Sequence, residues 1–271
     1  KKKKSINLVL KELIKLRKIK RYDLVIDMQG LIKSAIIAKL IPSLNTIGFD
    51  KNSLRERLSA FFYSRRFRID YALNVILRNV KLISNSMNLD ITNEELQNKS
   101  PFLFSKTTYS DNKLSLNKKN ILIIPGASNA SKCYPVNKLA DLAKLVDANF
   151  LIIWGSSKEK VMAEEIKKMA PNVKICGKLS IDYLVSLISQ VNLVIGPDTG
   201  PTHMAWALNV PSITLFGSTP GYRNSFVTNI NRIIESDSTV NPYKINRNDY
   251  SINNIKVTEI CNLTKKLLKT S

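Results

Sequence analysis

Residues Val194 to His203 read V-I-G-P-D-T-G-P-T-H. The apolar run Leu193-Val194-Ile195 enters the turn Gly196-Pro197. Asp198-Thr199-Gly200-Pro201 then opens a helical segment that continues through Met204, Ala205, Trp206 and Leu208. Thr199 suits the N-cap, and Pro201 suits the first turn, where a missing N–H leaves nothing unsatisfied. The amides freed at such a terminus point at whatever lies above the strand, which makes it a ready anion site. Asp198 and His203 place polar side chains beside it. A strand feeding a helix through such a turn is the unit from which an α/β enzyme with a phosphate pocket is built.

Around this unit the same alternation repeats. Strand Ile121–Ile124 precedes helix Pro135–Val146, and strand Phe150–Trp154 precedes helix Glu159–Met169. Strand Val173–Cys176, helix Ile181–Ser189 and strand Ser212–Phe216 complete the pattern. Strands alternating with helices of about ten residues predict a parallel sheet covered on both faces, with ligands outside the carboxyl ends of its strands. The turns at 125–132, 155–159, 177–180, 196–200 and 217–221 all fall on that edge. Towards the N-terminus, residues 6–20 have amphipathic helical spacing. Tyr22–Asp27 and Asn45–Gly48 read as short strands, and Leu31–Leu40, Ser53–Tyr63 and residues 69–89 as helices. The polar stretch from about Thr92 to Asn117 reads as the crossing between domains. The expected domains are therefore 1–110 and 118–240, with an extension, 241–271, as a helix packing back on the N-terminal domain. The first domain opens on lysines and a helix, not on a strand, so its first strand is expected to be missing.

Composition narrows the classes. The 271 residues are 44% hydrophobic, with a mean hydropathy of −0.09, as expected of a globular protein with sizeable cores. No apolar run approaches the roughly 18 residues of a membrane span, and the charged N-terminal segment does not read as a secretory leader. Three widely spaced cysteines and a single histidine give no metal-ligand spacing and suit a reducing compartment. No metal or cofactor is expected, and the predicted location is the cytoplasm. The net charge is +21, and residues 1–81 hold 20 basic and 6 acidic residues, a net of +14. Such a field draws in anionic partners: nucleic acid, acidic lipid or a phosphorylated substrate.

Several turns carry candidate chemistry. In Gly126-Ala127-Ser128-Asn129-Ala130-Ser131-Lys132, small residues permit close backbone approach, hydroxyls can meet phosphate oxygens, and Lys132 adds a positive charge. The spacing is not that of a Walker loop, and no G-x-G-x-x-G occurs in the chain. Glu159 either accepts ribose hydroxyls or simply caps its helix. Asp198 either accepts sugar hydroxyls or caps its helix, and His203 either donates to phosphate or packs in the core. In the N-terminal half, Asp27-Met28-Gln29-Gly30-Leu31-Ile32-Lys33-Ser34 is a further strand-turn-helix. Arg55, Arg65, Arg66 and Arg78 are suited to carboxylates and phosphates.

Taken in order, D-M-Q-G-L-I-K-S (27–34), G-F-D-x-x-S-x-R-E (48–56), K-x-x-P (132–135) and D-T-G-x-x-H (198–203) resemble the bacterial lipopolysaccharide heptosyltransferases of glycosyltransferase family 9, and heptosyltransferase I in particular. The resemblance implies a GT-B architecture, two Rossmann-like domains facing across a cleft. It also implies inverting transfer of heptose from ADP-heptose to a Kdo sugar of lipid A–Kdo2, in inner-core synthesis at the cytoplasmic face of the inner membrane. By the same resemblance, Ser128 and Lys132 would hold the diphosphate, Glu159 the ribose and Leu179 the adenine. Asp198, Thr199, Gly200 and His203 would hold heptose and phosphates, with Lys132 and Asp198 as the catalytic pair. Lys33, Arg55 and Arg78 would face the acceptor. The family's hydroxyl residue before Ser128 is here Ala127. The family's general base, an aspartate after the first strand, has no match, so a chain lacking that loop is expected to turn over little. A monomer attached to an anionic membrane surface is expected. The alternatives are heptosyltransferase II-type transfer to heptose, an ADP-sugar-binding module without turnover, and a basic nucleic-acid-binding protein. Against the last, no zinc spacing, RNP-like aromatic pattern or helix-turn-helix can be placed, and no nucleic-acid partner is expected.

Overall fold

The computed structural model describes residues 11–269. The chain divides into two compact units, 1–96 and 97–271.

In the first unit residues 11–16 are helical, and the rest of the expected amphipathic helix before residue 11 lies outside the described residues. Strands β1 (Tyr22–Ile26), β2 (Ser43–Phe49) and β3 (Arg65–Phe67) form a parallel sheet in that order. Helix α1 (Ile32–Leu40) connects the first two, and α2 (Val75–Met87) follows the third. The turn after β1 is organised by Asp27, a buried carboxylate. It accepts from the amides of Gln29 (2.9 Å) and Gly30 (3.2 Å), from Ser34 Oγ (2.8 Å) and from Tyr63 OH (2.6 Å). Burial and the neighbouring carboxylate push the Tyr63 phenol well above its ordinary range, which keeps it a donor. Gly30 takes φ +67°, and a Cβ there would lie 2.5 Å from Leu54 Cδ2, so glycine is required on both counts. The D-M-Q-G-L-I-K-S motif is thus in large part a folding device.

The helix expected over Ser53–Tyr63 is instead two 3₁₀ turns, Lys51–Ser53 and Arg57–Phe62. Long-range bonds account for the difference. Glu56 Oε2 accepts from the Ile32 amide at 2.8 Å, satisfying the start of α1, and Ser59 Oγ donates to the Gly30 carbonyl at 3.3 Å.

The second unit contains a six-stranded, all-parallel sheet. Its strands are β4 (Asn120–Ile123), β5 (Asn149–Ile152), β6 (Lys174–Ile175), β7 (Leu193–Pro197), β8 (Ser212–Phe216) and β9 (Asn231–Glu235), in the spatial order β6-β5-β4-β7-β8-β9. This is the doubly wound order, with its switch point between β4 and β7, where a crevice opens beyond the strand ends. Helices α3 (Val136–Leu145), α4 (Ser157–Met169), α5 (Ile181–Gln190) and α6 (Gly200–Ala207) make the crossovers. Side chains alternate between two cores. Ile121, Ile123, Phe150, Ile152, Leu193 and Ile195 face the core that includes α3 and α4, whereas Leu122, Ile124, Leu151 and Val194 face that of α5 and α6. Burial on both faces explains why these strands read as unbroken apolar runs.

At the opposite end of the sheet the strand starts are joined by asparagines. Asn149 Nδ2 donates to Asn120 Oδ1 (2.7 Å), and the Asn120 amide donates to Asn192 Oδ1 (2.8 Å). Asn231 Nδ2 donates to the Val210 carbonyl (2.8 Å) and to Ser212 Oγ (3.0 Å).

One domain boundary differs from expectation. Residues 97–117 are not a crossing but part of the second unit. Tyr109 N donates to Ser186 Oγ (2.7 Å), Thr107 Oγ1 donates to Asp182 (2.7 Å), and Lys99 Nζ reaches the Trp206 carbonyl (2.7 Å). The C-terminal helix α7 (Val257–Lys269) packs within the second unit. Ile260, Cys261 and Leu267 join the α3–α4 core, and Tyr134 OH donates to the Ile255 carbonyl at 2.8 Å.

Candidate functional site

The loops after β4 and β7 flank the switch point, and each contributes one member of an ion pair. Lys132 lies in a short 3₁₀ turn, Ala130–Lys132, and Asp198 immediately follows β7. Lys132 Nζ lies 2.6 Å from Asp198 Oδ2, with side chains 14% and 10% exposed. The same oxygen accepts from Asn224 Nδ2 (3.2 Å) and Thr219 Oγ1 (3.3 Å), while Oδ1 meets His203 Nε2 at 3.0 Å. Burial alone would push the Asp198 carboxyl up. The His203 hydrogen bond, and then the charge and hydrogen bond of Lys132, outweigh it and hold the group well below the ordinary carboxylate range. Asp198 is therefore an anion throughout the physiological range, with Lys132 held against it.

Beside this cluster, Thr199 is the N-cap of α6, with Pro201 in the first turn, as the sequence predicts. Gly200 is exposed at the start of the helix, and His203 is partly exposed. Thr202 Oγ1 ties the same turn together, accepting from the Thr199 amide (3.3 Å) and lying within donating distance of the Thr199 carbonyl (2.6 Å) and the Pro197 carbonyl (3.0 Å).

A pocket opens between the loops after β4, β5, β6 and β7. Its walls are apolar, from Ile124, Ile153, Trp154, Leu179 and Leu184, and Glu159 and Thr199 add polar groups. Leu179, Glu159 and Thr199 are thus brought to one pocket, and Thr199 adjoins the Asp198 cluster. Glu159 also caps its helix. Its Oε2 accepts from the amides of Gly155 and Ser156, both at 2.8 Å, while Ser156 Oγ accepts from the Glu159 amide at 3.3 Å. This reciprocal capping box satisfies the end of α4. Gly126 leaves room for this side chain, since a Cβ there would fall 2.3 Å from Glu159 Cγ. Ser128 is exposed on the loop after β4.

The first unit distributes its candidates differently. Lys33 and Arg55 are exposed, and Arg55 Nη2 lies 3.8 Å from Glu56 Oε1. Arg78 is 3% exposed. Its guanidinium lies 3.8 Å from the Phe49 ring centroid, and Nη2 donates to the Ser53 carbonyl. This position corrects the acceptor-facing expectation for Arg78: its planar cation is consumed in holding β2, α2 and the 3₁₀ turn together.

Sequence reasoning missed Thr219 and Asn224, although the turn at 217–221 was recognised as lying on the functional edge. Nothing local marks them, since their partner is more than twenty residues away. Among the described residues, no group of three or more His, Cys, Asp or Glu is placed to hold a metal ion. No helix among them is long and apolar enough to cross a membrane.

Comparison with known proteins agrees with this geometry. The sequence model of glycosyltransferase family 9 (heptosyltransferase) matches residues 11–248. The chain is 40% identical to lipopolysaccharide heptosyltransferase 1 of Campylobacter coli, over 97% of its own length and 81% of that protein. It is 25% identical to lipopolysaccharide heptosyltransferase 1 of Pseudomonas aeruginosa, over 76% of the chain and 57% of that relative. Among solved structures, E. coli heptosyltransferase WaaC with ADP superposes with a TM-score of 0.71 at 20% identity, covering 92% of this chain and 73% of that one. At that identity the likeness establishes the GT-B fold.

Proposed function

The chain belongs to glycosyltransferase family 9, the heptosyltransferases, and from that premise we propose that it moves heptose from ADP-heptose to a Kdo sugar of lipid A–Kdo2. The observation that carries the reading is the order of groups along the switch-point edge. An apolar slot with a carboxylate at its rim lies beside a helix N-terminus, and that terminus adjoins a lysine paired with an aspartate. Adenine suits the slot against Leu179, and the ribose hydroxyls suit Glu159. The diphosphate suits Lys132, Ser128 and the amides at Thr199–Gly200. Asp198 and His203 then fall beside the sugar. Relatives named heptosyltransferase 1 support Kdo over heptose as the acceptor.

In this reading the acceptor oxygen arrives on the face of C1 opposite the leaving oxygen, and the C1–O bond to the β-phosphate breaks with inversion. The departing ADP gains charge. Lys132 and the α6 terminus are preorganised to stabilise it, and no metal is assigned that role. Binding of the phosphates requires Lys132 to exchange part of its contact with Asp198 for the ligand. The acceptor's proton would pass to the family's general base, the aspartate that no residue of this chain matches. The basic first third is proposed to hold the protein on an anionic membrane surface, where each Lys or Arg contributes about 1 kcal/mol.

The test is titration calorimetry with ADP, followed by a transfer assay in EDTA with ADP-heptose and lipid A–Kdo2. Micromolar-class ADP binding that Lys132→Ala weakens is expected, and in a chain that carries the family's base the acceptor should gain one heptose. ADP bound elsewhere, or not at all, would overturn the assignment of the donor site.

A further inference from the structure

The first unit carries an apolar tip that its own fold leaves uncovered. In the 3₁₀ turn Arg57–Phe62, residues three apart are eclipsed, so Leu58 and Phe61 stand on the same side. The opposite side faces the interior. Ser59 and Ala60 are buried there, with Ser59 bonded to the Gly30 carbonyl, and Phe62 packs against the core of the unit. Leu58 is 62% and Phe61 75% exposed. Single exposed apolar residues need no explanation, but two aligned on a rigid turn make a protrusion.

The surroundings of the tip are basic. Residues 51–68 include six Lys or Arg and one acidic residue. That acid, Glu56, is engaged with the Ile32 amide. In the sequence, Arg55 and Arg57 precede Leu58, and Arg65 and Arg66 follow Phe61. All four are exposed. An exposed apolar pair in a segment of exposed arginines matches the two layers of an anionic bilayer surface, with phosphates outside and acyl chains just below. It does not match a second copy of this surface, since two such basic segments would repel.

We propose that Leu58 and Phe61 insert into the acyl boundary of an anionic phospholipid leaflet while the surrounding arginines engage the headgroups. This rests on the peripheral attachment proposed above and adds the element that enters the membrane. It turns a diffuse attraction into a fixed orientation of the first unit on its surface.

The test uses co-sedimentation with phosphatidylcholine vesicles containing or lacking phosphatidylglycerol. The double variant Leu58→Ser/Phe61→Ser is expected to lose at least about tenfold in affinity for the anionic vesicles, as removing two buried apolar side chains should. Its ADP affinity and melting temperature should match the parent. Separately, the added fluorescence of Phe61→Trp should shift to the blue and be quenched by brominated acyl chains in anionic vesicles only. Equal vesicle binding by parent and double variant, with no quenching, would overturn insertion and leave electrostatic attachment standing. Absence of binding by the parent itself would remove both. Self-association of the parent that the double variant abolishes would assign the tip to a second copy and overturn the membrane role.

Discussion

Replacing Asp198 by asparagine keeps the shape of the side chain and removes its charge. The magnitude follows from the packing. The carboxylate and its Lys132 partner are both largely buried, and four donors converge on the two oxygens. An asparagine offers one acceptor oxygen and turns an N–H₂ towards donors on the other side, leaving at least one of them unmet and the lysine without its counter-charge. Breaking a buried pair by removing one partner costs about 3–5 kcal/mol, and the residual exposure here favours the lower figure. For a unit of this size, about 3 kcal/mol lowers the melting temperature by roughly 6–12 °C. The pH dependence gives a second check. Because the folded carboxyl titrates below its unfolded value, the stabilisation is complete above about pH 4 and is lost as the pH falls through the lower, folded value. The gap in melting temperature between the native protein and Asp198→Asn should therefore persist from neutral pH down to about pH 5 and close only in stronger acid. Differential scanning calorimetry over that range measures both quantities. ADP binding should not weaken, because the substitution frees Lys132 for phosphate. An unchanged melting temperature, or a gap that closes between pH 5 and 8, would refute the account of Asp198 as the buried hub of the site.

Three further outcomes are expected. In a chain that carries the family's base, Lys132→Ala should lower kcat at least about tenfold by removing the preorganised cation, read in the transfer assay; near-normal kinetics would take Lys132 out of the mechanism. Glu159→Gln preserves the capping box, so its melting temperature should stay within about 0.5 kcal/mol equivalent of the parent, whereas Glu159→Ala should lose about 1 kcal/mol. If Glu159 also holds the ribose, Glu159→Gln weakens ADP binding but leaves 2′-deoxy-ADP binding largely unaffected, which calorimetry distinguishes. Tyr63→Phe removes the 2.6 Å bond to the buried Asp27 carboxylate and should destabilise the first unit by about 1.5–3 kcal/mol, measured by urea denaturation; no change would mean that the Asp27 network is dispensable.

What could be read from the sequence follows from how local each signal is. Strands such as Ile121–Ile123 and Leu193–Ile195 are buried on both faces, and their unbroken apolar runs are visible without any partner. Strands β3 (R-R-F) and β9 (N-R-I-I-E) are at sheet edges with exposed charged residues, and they gave no such run. The 3₁₀ turns at 51–62 looked helical because their apolar spacing is helical. There Glu56 is engaged with the Ile32 amide at the start of α1, a partner that no local pattern shows. At the site, Thr199, Pro201 and the helix start were local and legible. The pairing of Lys132 with Asp198 spans 66 residues, and only the sheet order brings the two loops together. Arg78 shows the converse: an arginine suited to phosphate by type was claimed by an aromatic face and a carbonyl within its own unit.

The asparagine seam has a bearing on how such a scaffold can diversify. A slip of one residue in β4 would break the contacts of Asn120 with Asn149 and Asn192 together, and would turn Leu122 and Ile124 towards the wrong helices. The phase of the sheet is thus locked from its far end by groups that never meet a ligand. Insertions and exchanges in the loops above can then accumulate without shifting the strands beneath them, so the same frame tolerates new sugars by changing only its rim.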